Sequence, residues 1–233
     1  MTQRQRPRPQ AIIFDFDYTL ADSSVGIIDC IQTAQTAMGL SLSTAEQIRR
    51  TIGLSVPEIL TTLSGKEHSP RVDEFRQRFQ ARADQVMAEN TAIYDGVPSM
   101  LRFLACNGIR SAIASTKFRY RIEQILQREG LSDLVHTVIG AEDVVQHKPD
   151  PACLLKALER LTVNARDVLY VGDSLPDAEA AMRASIDFVA VLSGTTRSDE
   201  FAPFGPVTGL DDVSALSGWL TTMHDLGSQQ DHD

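Results

Sequence analysis

The sequence lacks the features that mark several large classes of protein. No stretch of its 233 residues approaches the ~20 consecutive apolar residues that a membrane-spanning helix needs. Basic residues are in deficit, at 22 Lys and Arg against 31 Asp and Glu, and the net charge of −9 disfavours binding to a nucleic-acid backbone. The content of 42% hydrophobic and 23% charged residues is ordinary for a soluble globular protein and excludes collagen-like, coiled-coil and disordered chains. We therefore expect neither a membrane nor a nucleic acid as partner.

Cysteine is scarce as well. Cys30, Cys106 and Cys153 lie far apart in the sequence, and none belongs to a C-x-x-C pair. This spacing does not suit a disulfide framework or a zinc site, and it favours reduced thiols and a cytoplasmic location. Residues 1–10 carry arginine and proline without the apolar segment of a secretory signal, so we expect them, like residues 227–233, to be flexible termini.

Short apolar runs in the sequence predict buried β-strands. The run Ala11-Ile12-Ile13-Phe14 stops abruptly at Asp15, as expected of a strand that is covered on both faces. Similar runs occupy residues 111–114, 137–139, 168–171 and 188–191. Helical patterns that begin near Pro98, Arg119, Pro151 and Ala178 separate most of them. This alternation predicts an α/β fold with a Rossmann-like, doubly wound parallel sheet.

Residues 22–91 interrupt the alternation with helical patterns alone. Apolar residues at helical spacing lead to Gly39, which is a plausible helix stop. Ser43 and Glu46 have the spacing of a capping box, and further helices are predicted after Pro57 and from Val72 onward. We expect these roughly 70 residues to form a helical cap inserted into a catalytic core made of residues 11–21 and 92–226.

Polar residues that can carry chemistry follow the predicted strands. They are Asp15, Asp17, Ser115, Thr116, Asp173 and Asp177, together with Lys148 ahead of the helix at Pro151. Each of them alone would suit a turn or a helix cap, but parallel strands bring their carboxyl ends to one edge of the sheet. Clustered carboxylates repel one another unless a cation lies among them, and an all-oxygen set suits Mg²⁺. Lys148 adds a positive charge that can bind a phosphate.

These residues fall into motifs that resemble a known family. The segments Asp15-Phe16-Asp17-Tyr18-Thr19-Leu20, Ser115, Lys148-Pro149-Asp150-Pro151 and Gly172-Asp173-Ser174-Leu175-Pro176-Asp177 resemble, in order and spacing, the motifs of the haloacid dehalogenase-like hydrolase superfamily. The resemblance extends from about Ala11 to Leu220. Residues 22–23, 51–54 and 94–97 look most like those of phosphoglycolate phosphatases, a branch with a small α-helical cap.

The resemblance implies a phosphatase mechanism with a role for each acid. Asp15 would be the nucleophile that forms an aspartyl-phosphate, and Asp17 would protonate the leaving alcohol and later activate water. Asp15, the main-chain carbonyl of Asp17, and Asp173 would hold Mg²⁺. Asp177 would orient Lys148 or a metal-bound water, although a role as a helix N-terminal acid is nearly as well supported.

The remaining site residues concern the phosphoryl group and the substrate. Ser115 and Lys148 would bind the phosphoryl oxygens, and Thr116 is a further substrate candidate. Arg49, or its neighbour Arg50, has the charge to bind a substrate carboxylate or a second phosphate. A solvated helix end remains the preferred interpretation of these two arginines.

The chain departs from the family pattern in a few places. Tyr18 stands where glycine is usual, and its ring must lie beside the nucleophile turn or point toward the cap. Ser115-Thr116 replaces the Thr-Asn pair that is common in phosphoglycolate phosphatases. Ser185 also replaces a usual glycine, which predicts a small loss of stability.

The leading interpretation is a Mg²⁺-dependent phosphatase for a small phosphorylated metabolite such as phosphoglycolate, active as a monomer or homodimer. A pyrophosphatase, a broad sugar or nucleoside monophosphate phosphatase, and a non-catalytic phosphate-binding relative stay open. Dehalogenases and phosphonoacetaldehyde hydrolases lack a second acid, whereas Asp17 is present. A mutase is disfavoured because Ile27 stands where β-phosphoglucomutases carry histidine.

Overall fold

A computed structural model of the chain describes residues 8–205 and 207–224. The expected flexible termini, residues 1–10 and 227–233, therefore fall almost wholly outside the described residues. Within the described ranges, no helix combines the length and the apolar character that crossing a bilayer requires.

Most of the strands form a single parallel sheet. The strands are β1 (Ala11–Phe14), β2 (Ala21–Asp22), β3 (Ala92–Ile93), β4 (Arg110–Ala114), β5 (Thr137–Ile139), β6 (Val168–Gly172), β7 (Asp187–Val191) and β8 (Thr208–Leu210). Six of them are hydrogen-bonded in the order β5-β4-β1-β6-β7-β8, and every neighbouring pair is parallel. The short strands β2 and β3 form a separate antiparallel pair. β1 thus lies inside the sheet, between β4 and β6.

Helices cover both faces of this sheet. The helices of the described residues are α1 (Ser24–Ala37), α2 (Ala45–Arg49), α3 (Val56–Ser64), α4 (Val72–Val86), α5 (Gly96–Cys106), α6 (Arg119–Arg128), α7 (Ala152–Leu161), α8 (Leu175–Ala184) and α9 (Leu216–His224), of which α5 to α9 cover the sheet. Apolar residues of α5, α6 and α9 pack on one face, and those of α7 and α8 pack on the other. This arrangement confirms the predicted Rossmann-like α/β fold.

Strand β1 shows why its sequence is apolar throughout. Successive side chains of a strand point to opposite faces of the sheet. Ile12 and Phe14 accordingly belong to the core beneath α5, α6 and α9, whereas Ala11 and Ile13 belong to the core beneath α7 and α8. All of these residues are fully buried, as the uninterrupted apolar run predicts.

Helices α1 to α4 lie between β2 and β3 and have a core of their own. Its fully buried members include Ile31, Leu60 and Phe75. Helix α1 ends where predicted, because Gly39 adopts a positive φ of 65° just after it. The boundaries of the cap, residues 22 and 91, stay a prediction.

The predicted capping box at Ser43 and Glu46 is wrong by one residue. Thr44 is the N-cap of α2, and its partner in the capping box is Gln47. Ser43 is instead drawn into the helical core, where its hydroxyl accepts a hydrogen bond of 2.8 Å from Gln35. The backbone N–H of Ser43 donates to the same side chain at 2.9 Å. A contact with another helix therefore overrides the local pattern.

Candidate active site

The central strands of the sheet bring the predicted polar residues to one edge. Asp15 directly follows β1, Ser115 follows β4 and Asp173 follows β6, and these three strands are neighbours. The N–H of Asp15 continues the sheet by donating to the carbonyl of Val171 at 2.9 Å. Asp15, Ser115 and Asp173 are all buried, with exposed fractions of 1%, 4% and 4%. The carboxyl ends of adjacent parallel strands thus place two acids and a hydroxyl at one location.

Lys148 lies at the centre of this group. Its Nζ is 2.8 Å from Asp15 Oδ1 and 2.6 Å from Asp177 Oδ1. It also donates to the hydroxyl of Tyr170 at 3.1 Å. Burial disfavours the charged form of the lysine, but the carboxylates of Asp15 and Asp177 outweigh this and raise the pKa of Lys148. The ammonium ion is therefore held permanently beside the predicted nucleophile.

Asp177 makes contacts that fit both of the roles that the sequence suggested. Its Oδ1 contacts Lys148 and accepts a hydrogen bond of 2.6 Å from Tyr170. Its Oδ2 accepts hydrogen bonds from the backbone N–H and the hydroxyl of Ser174, the N-cap of α8. Asp177 thus contacts the lysine and also takes part in the capping box of α8. The sequence reasoning missed Tyr170, although a tyrosine in a buried strand must find a partner for its hydroxyl.

The acids at this edge fit a divalent cation. Oxygens of Asp15, Asp173 and Asp177 lie within 4.8 Å of one another. Asp177 already binds Lys148, Tyr170 and Ser174, so Asp15 and Asp173 are the available side chains. Asp15 Oδ1 is buried and receives no well-directed hydrogen bond from the described residues, although the ammonium of Lys148 is close. A buried oxygen of this kind suits a metal ligand.

The pKa values of these acids point the same way. Burial raises the pKa of Asp15 to about 6, against the opposing effect of Lys148. Burial, followed by the charges of Asp177 and Asp15, raises the pKa of Asp173 well above its usual range. Both acids would ionise more readily if a cation lay between them.

Two neighbours fix the position of Asp173. The hydroxyl of Thr19, in the turn after β1, donates to Asp173 Oδ1 at 3.2 Å. On the other side Gly194 approaches so closely that a Cβ atom there would lie 2.0 Å from Asp173 Oδ2. Only glycine fits at this approach.

Asp17 forms a second buried ion pair that the sequence reasoning did not predict. Lys117 Nζ donates to the two carboxylate oxygens of Asp17 at 2.8 and 3.2 Å. The same ammonium contacts the hydroxyl of Ser23 at 3.1 Å, and Thr91 donates to that hydroxyl at 3.0 Å. The pair therefore connects Asp17 to both segments that lead into and out of the helical region.

Tyr18 points toward the helical region, one of the two expected positions. Its backbone is left-handed, with φ of 61°, and its side chain packs with the core of α1 to α4. The hydroxyl of Ser193 donates to the carbonyl of Tyr18 at 2.5 Å and holds the turn. Burial raises the pKa of the Tyr18 hydroxyl to about 12.

The candidate substrate residues are less closely grouped. Thr116 lies near the site and donates to the carbonyl of Gly53, in the loop before α3, at 3.4 Å. Arg49 and Arg50 are exposed at the end of α2, and Arg50 forms an ion pair of 3.1 Å with Glu46. Arg50, with Asp173, also lines a cleft of about 790 Å³.

Known proteins resemble this chain over most of its length. The sequence pattern of the haloacid dehalogenase-like hydrolases matches residues 12–191. A phosphoglycolate phosphatase from Psychrobacter arcticus is 29% identical over 219 residues, which cover 91% of this chain and 95% of that protein. An N-acetylmuramic acid 6-phosphate phosphatase from Pseudomonas aeruginosa is 29% identical over 191 residues, covering 82% of this chain and 84% of that one.

A solved structure shares the fold as well. It comes from Bacteroides fragilis and is described as a haloacid dehalogenase-like hydrolase. It is 38% identical, has a TM-score of 0.86 and covers 90% of this chain and 100% of its own. Fold, motifs and relatives agree on a phosphatase enzyme. The chain therefore belongs to the haloacid dehalogenase-like hydrolase family, in the branch that resembles phosphoglycolate phosphatases.

Proposed function

We propose that this enzyme is a Mg²⁺-dependent phosphatase that hydrolyses a small phosphomonoester through an aspartyl-phosphate on Asp15. The observation that supports it most is the buried ammonium of Lys148, which lies between Asp15 and Asp177 and beside Asp173. Such a group neutralises an incoming phosphate next to a carboxylate nucleophile. Phosphoglycolate, for which several relatives are named, is the reference substrate.

Asp15, Asp173 and the main-chain carbonyl of Asp17 would hold the cation. When bound, a divalent metal lets an anionic carboxylate approach an anionic phosphate and withdraws charge from the phosphoryl group. The burial of both carboxylates favours this role, because neither has a full set of partners among the described residues.

The side chains of the chain itself carry the proposed steps. A carboxylate oxygen of Asp15 attacks phosphorus, while Ser115 and Lys148 bind the phosphoryl oxygens. Asp17 transfers a proton to the oxygen of the leaving alcohol as the bond from phosphorus to that oxygen breaks. Asp17 then accepts a proton from the water that hydrolyses the aspartyl-phosphate, which restores both acids.

The test is release of inorganic phosphate from an aryl phosphate and from phosphoglycolate, with Mg²⁺ and with a chelator. We expect turnover that needs the metal, and a loss of about 1,000-fold or more in Asp15→Asn. Asp133→Asn makes the same change at an exposed acid that does not belong to the site, so it is the matched control and should keep wild-type activity. Full activity of Asp15→Asn, or activity that survives the chelator, would contradict the proposal.

The proposal includes a cytoplasmic location, a small phosphorylated metabolite as substrate, and a monomer or homodimer as the active form. Pyrophosphate and sugar or nucleoside monophosphates belong in the same assay, because the phosphoryl site alone does not distinguish them. Beryllium fluoride provides a separate test, since stabilisation by it without turnover of any substrate would indicate a phosphate-binding relative.

A further inference from the structure

A small cavity adjoins the proposed proton donor Asp17. Its volume is about 60 Å³, which exceeds the ~15 Å³ that a single water molecule needs but admits only a small group. Its lining is mostly apolar and includes Ile27, Ile52, Leu54, Ile59, Phe79 and Met87. Asp17 and Lys117 also line it. A group attached to the oxygen that Asp17 protonates would therefore enter this cavity.

The charged residues in the lining are already paired. Lys117 is bound to Asp17 at 2.8 Å. Arg121 is bound to Asp84 at 2.6 Å and to the carbonyl of Gln80 at 3.3 Å. Both cations in this lining, Lys117 and Arg121, thus already have an acid partner among the described residues.

Because the charges of the lining are already paired, the cavity favours one kind of leaving group over another. A carboxylate on the leaving group, such as that of glycolate, would join the carboxylate of Asp17 in this cavity. It would lose its water of hydration there and gain no counter-ion. An alkyl group of the same size would instead bury its surface against the apolar side chains. Neither Arg49 nor Arg50 lines this cavity, although Arg50 lines the adjoining polar cleft, which shares Ile52, Gly53 and Leu54 with it.

We infer that the preferred substrate is a phosphomonoester whose leaving alcohol is uncharged and carries a small alkyl group. The inference rests on the proposed function, since it names the substrate class of that same site. Isobutyl phosphate, which matches phosphoglycolate in shape but lacks its carboxylate, should be the better substrate by about tenfold or more in kcat/KM.

Binding of two phosphonates tests the inference without any need for turnover. The compounds are 3-methylbutylphosphonate, which ends in a branched alkyl group, and 2-carboxyethylphosphonate, which ends in a carboxylate. In both, phosphorus is bonded to carbon, so neither contains a bond that the enzyme can hydrolyse. Calorimetry with the wild-type enzyme and Mg²⁺ should show binding of the alkyl compound about tenfold or more tighter. Equal affinities, tighter binding of the carboxylate, or no measurable binding of the alkyl compound would overturn the inference.

The two proposals can fail separately in these measurements. If the alkyl compound binds more tightly and no phosphomonoester is hydrolysed, the proposed activity is wrong and the cavity is still assigned correctly. If phosphomonoesters are hydrolysed and the carboxylate compound binds equally well, the activity stands and the inference is wrong.

A charge placed in the lining provides the matched variant. Leu54 is half-buried in a loop, and Leu54→Arg should shift the affinity ratio toward the carboxylate compound by about tenfold or more. Leu42→Arg introduces the same charge at a leucine that is 62% exposed and outside the cavity, and it should keep the wild-type ratio. A Leu54→Arg protein that folds, as judged by thermal unfolding, and keeps the wild-type ratio would overturn the assignment. The wild-type measurement decides the question even where this variant does not fold.

Discussion

The site contains buried charges of both signs, but not in equal measure. Lys148 faces Asp15 and Asp177, and Lys117 faces Asp17. Asp173 has no lysine of its own and accepts a hydrogen bond from the hydroxyl of Thr19 alone among the described side chains. The side chains alone therefore supply fewer partners than these carboxylates need, and this excess of acid has consequences for stability.

We expect Mg²⁺ to stabilise the protein more at about pH 7.5 than at about pH 5. Burial raises the pKa of Asp15 from its ordinary value of 3.8 to about 6 in the folded protein. Without Mg²⁺ the folded state therefore binds this proton more tightly than the unfolded state does, and it loses stability as the pH rises from 3.8 to about 6. A cation removes this penalty, whereas below about pH 6 it must first displace a proton. Thermal unfolding with and without Mg²⁺ at the two pH values measures the difference.

The control for this pH effect is Asp15→Asn, which removes the titrating group. Its melting temperature should respond less to Mg²⁺, and the response should vary less with pH. A Mg²⁺-induced shift of the wild-type melting temperature that is equal at the two pH values would show that Asp15 does not bind the metal.

We expect Lys117→Met to lower kcat by about 10- to 100-fold. The ammonium of Lys117 donates to both oxygens of Asp17 and to Ser23, so its removal frees the carboxylate to rotate away from the leaving group. Steady-state kinetics with an aryl phosphate measures the effect. Lys66→Met, at an exposed lysine before α4, serves as the control and should keep the wild-type kcat. An unchanged kcat in Lys117→Met would show that Lys117 does not position the carboxylate of Asp17.

At the scale of elements, the sequence predicts the strands that are buried on both faces. The strands β1, β4, β5, β6 and β7 are recognisable because each contains an apolar run, and all of these runs except that of β7 end at a polar or glycine residue. Strand β8, Thr208–Leu210, is partly exposed at the sheet edge and has no such run. Strands β2 and β3 contain two residues each, too few for any periodicity to appear.

The same distinction applies to the site. Asp15, Ser115 and Asp173 are predictable because each directly follows an apolar strand. The role of Lys117 cannot be predicted in this way, because its partner Asp17 is 100 residues away in sequence and the contact depends on how the chain folds. The capping box of α2 shifted for the same reason, because Gln35 of another helix binds Ser43. Local patterns therefore identify elements and strand-end residues, and long-range pairs need the fold.

We expect Ser185→Gly to stabilise the protein by about 0.5–1 kcal/mol. Ser185 follows α8 in a left-handed conformation, with φ of 56°, which glycine adopts without strain. Urea unfolding measures the change. The same substitution at Ser99, which is exposed within α5, should instead destabilise by about 0.5–1 kcal/mol, and equal effects at the two positions would contradict the role of backbone conformation.

At the scale of the whole molecule, side chains of α6 join the sheet to the helical region. Arg121 binds Asp84 of α4, and the hydroxyl of Tyr120 donates to the same carboxylate. Arg128, at the end of α6, donates to the carbonyls of Ala88 and Thr91. The cavity beside Asp17 is lined by residues of both parts, so the contacts that join them also determine its charge.

Asp84→Ala should change both stability and selectivity. Arg121 is buried, with 2% of its surface exposed, and loss of its carboxylate partner should cost about 1–2 kcal/mol of unfolding free energy. The guanidinium then becomes the free cation that the cavity lining lacks. We therefore expect the preference for 3-methylbutylphosphonate over 2-carboxyethylphosphonate to narrow in this variant.

Asp73→Ala is the matched control for that experiment. Asp73 lies on the same helix, its side chain is 88% exposed, and its ion pair with Arg76 is outside the cavity. This variant should keep both the stability, within about 0.5 kcal/mol, and the ligand preference of the wild type. If Asp84→Ala lost stability but kept the full preference for the alkyl compound, Arg121 would not govern the charge of the cavity. Selectivity would then depend on the apolar side chains alone, and the ion pair would serve only to hold α4 against α6.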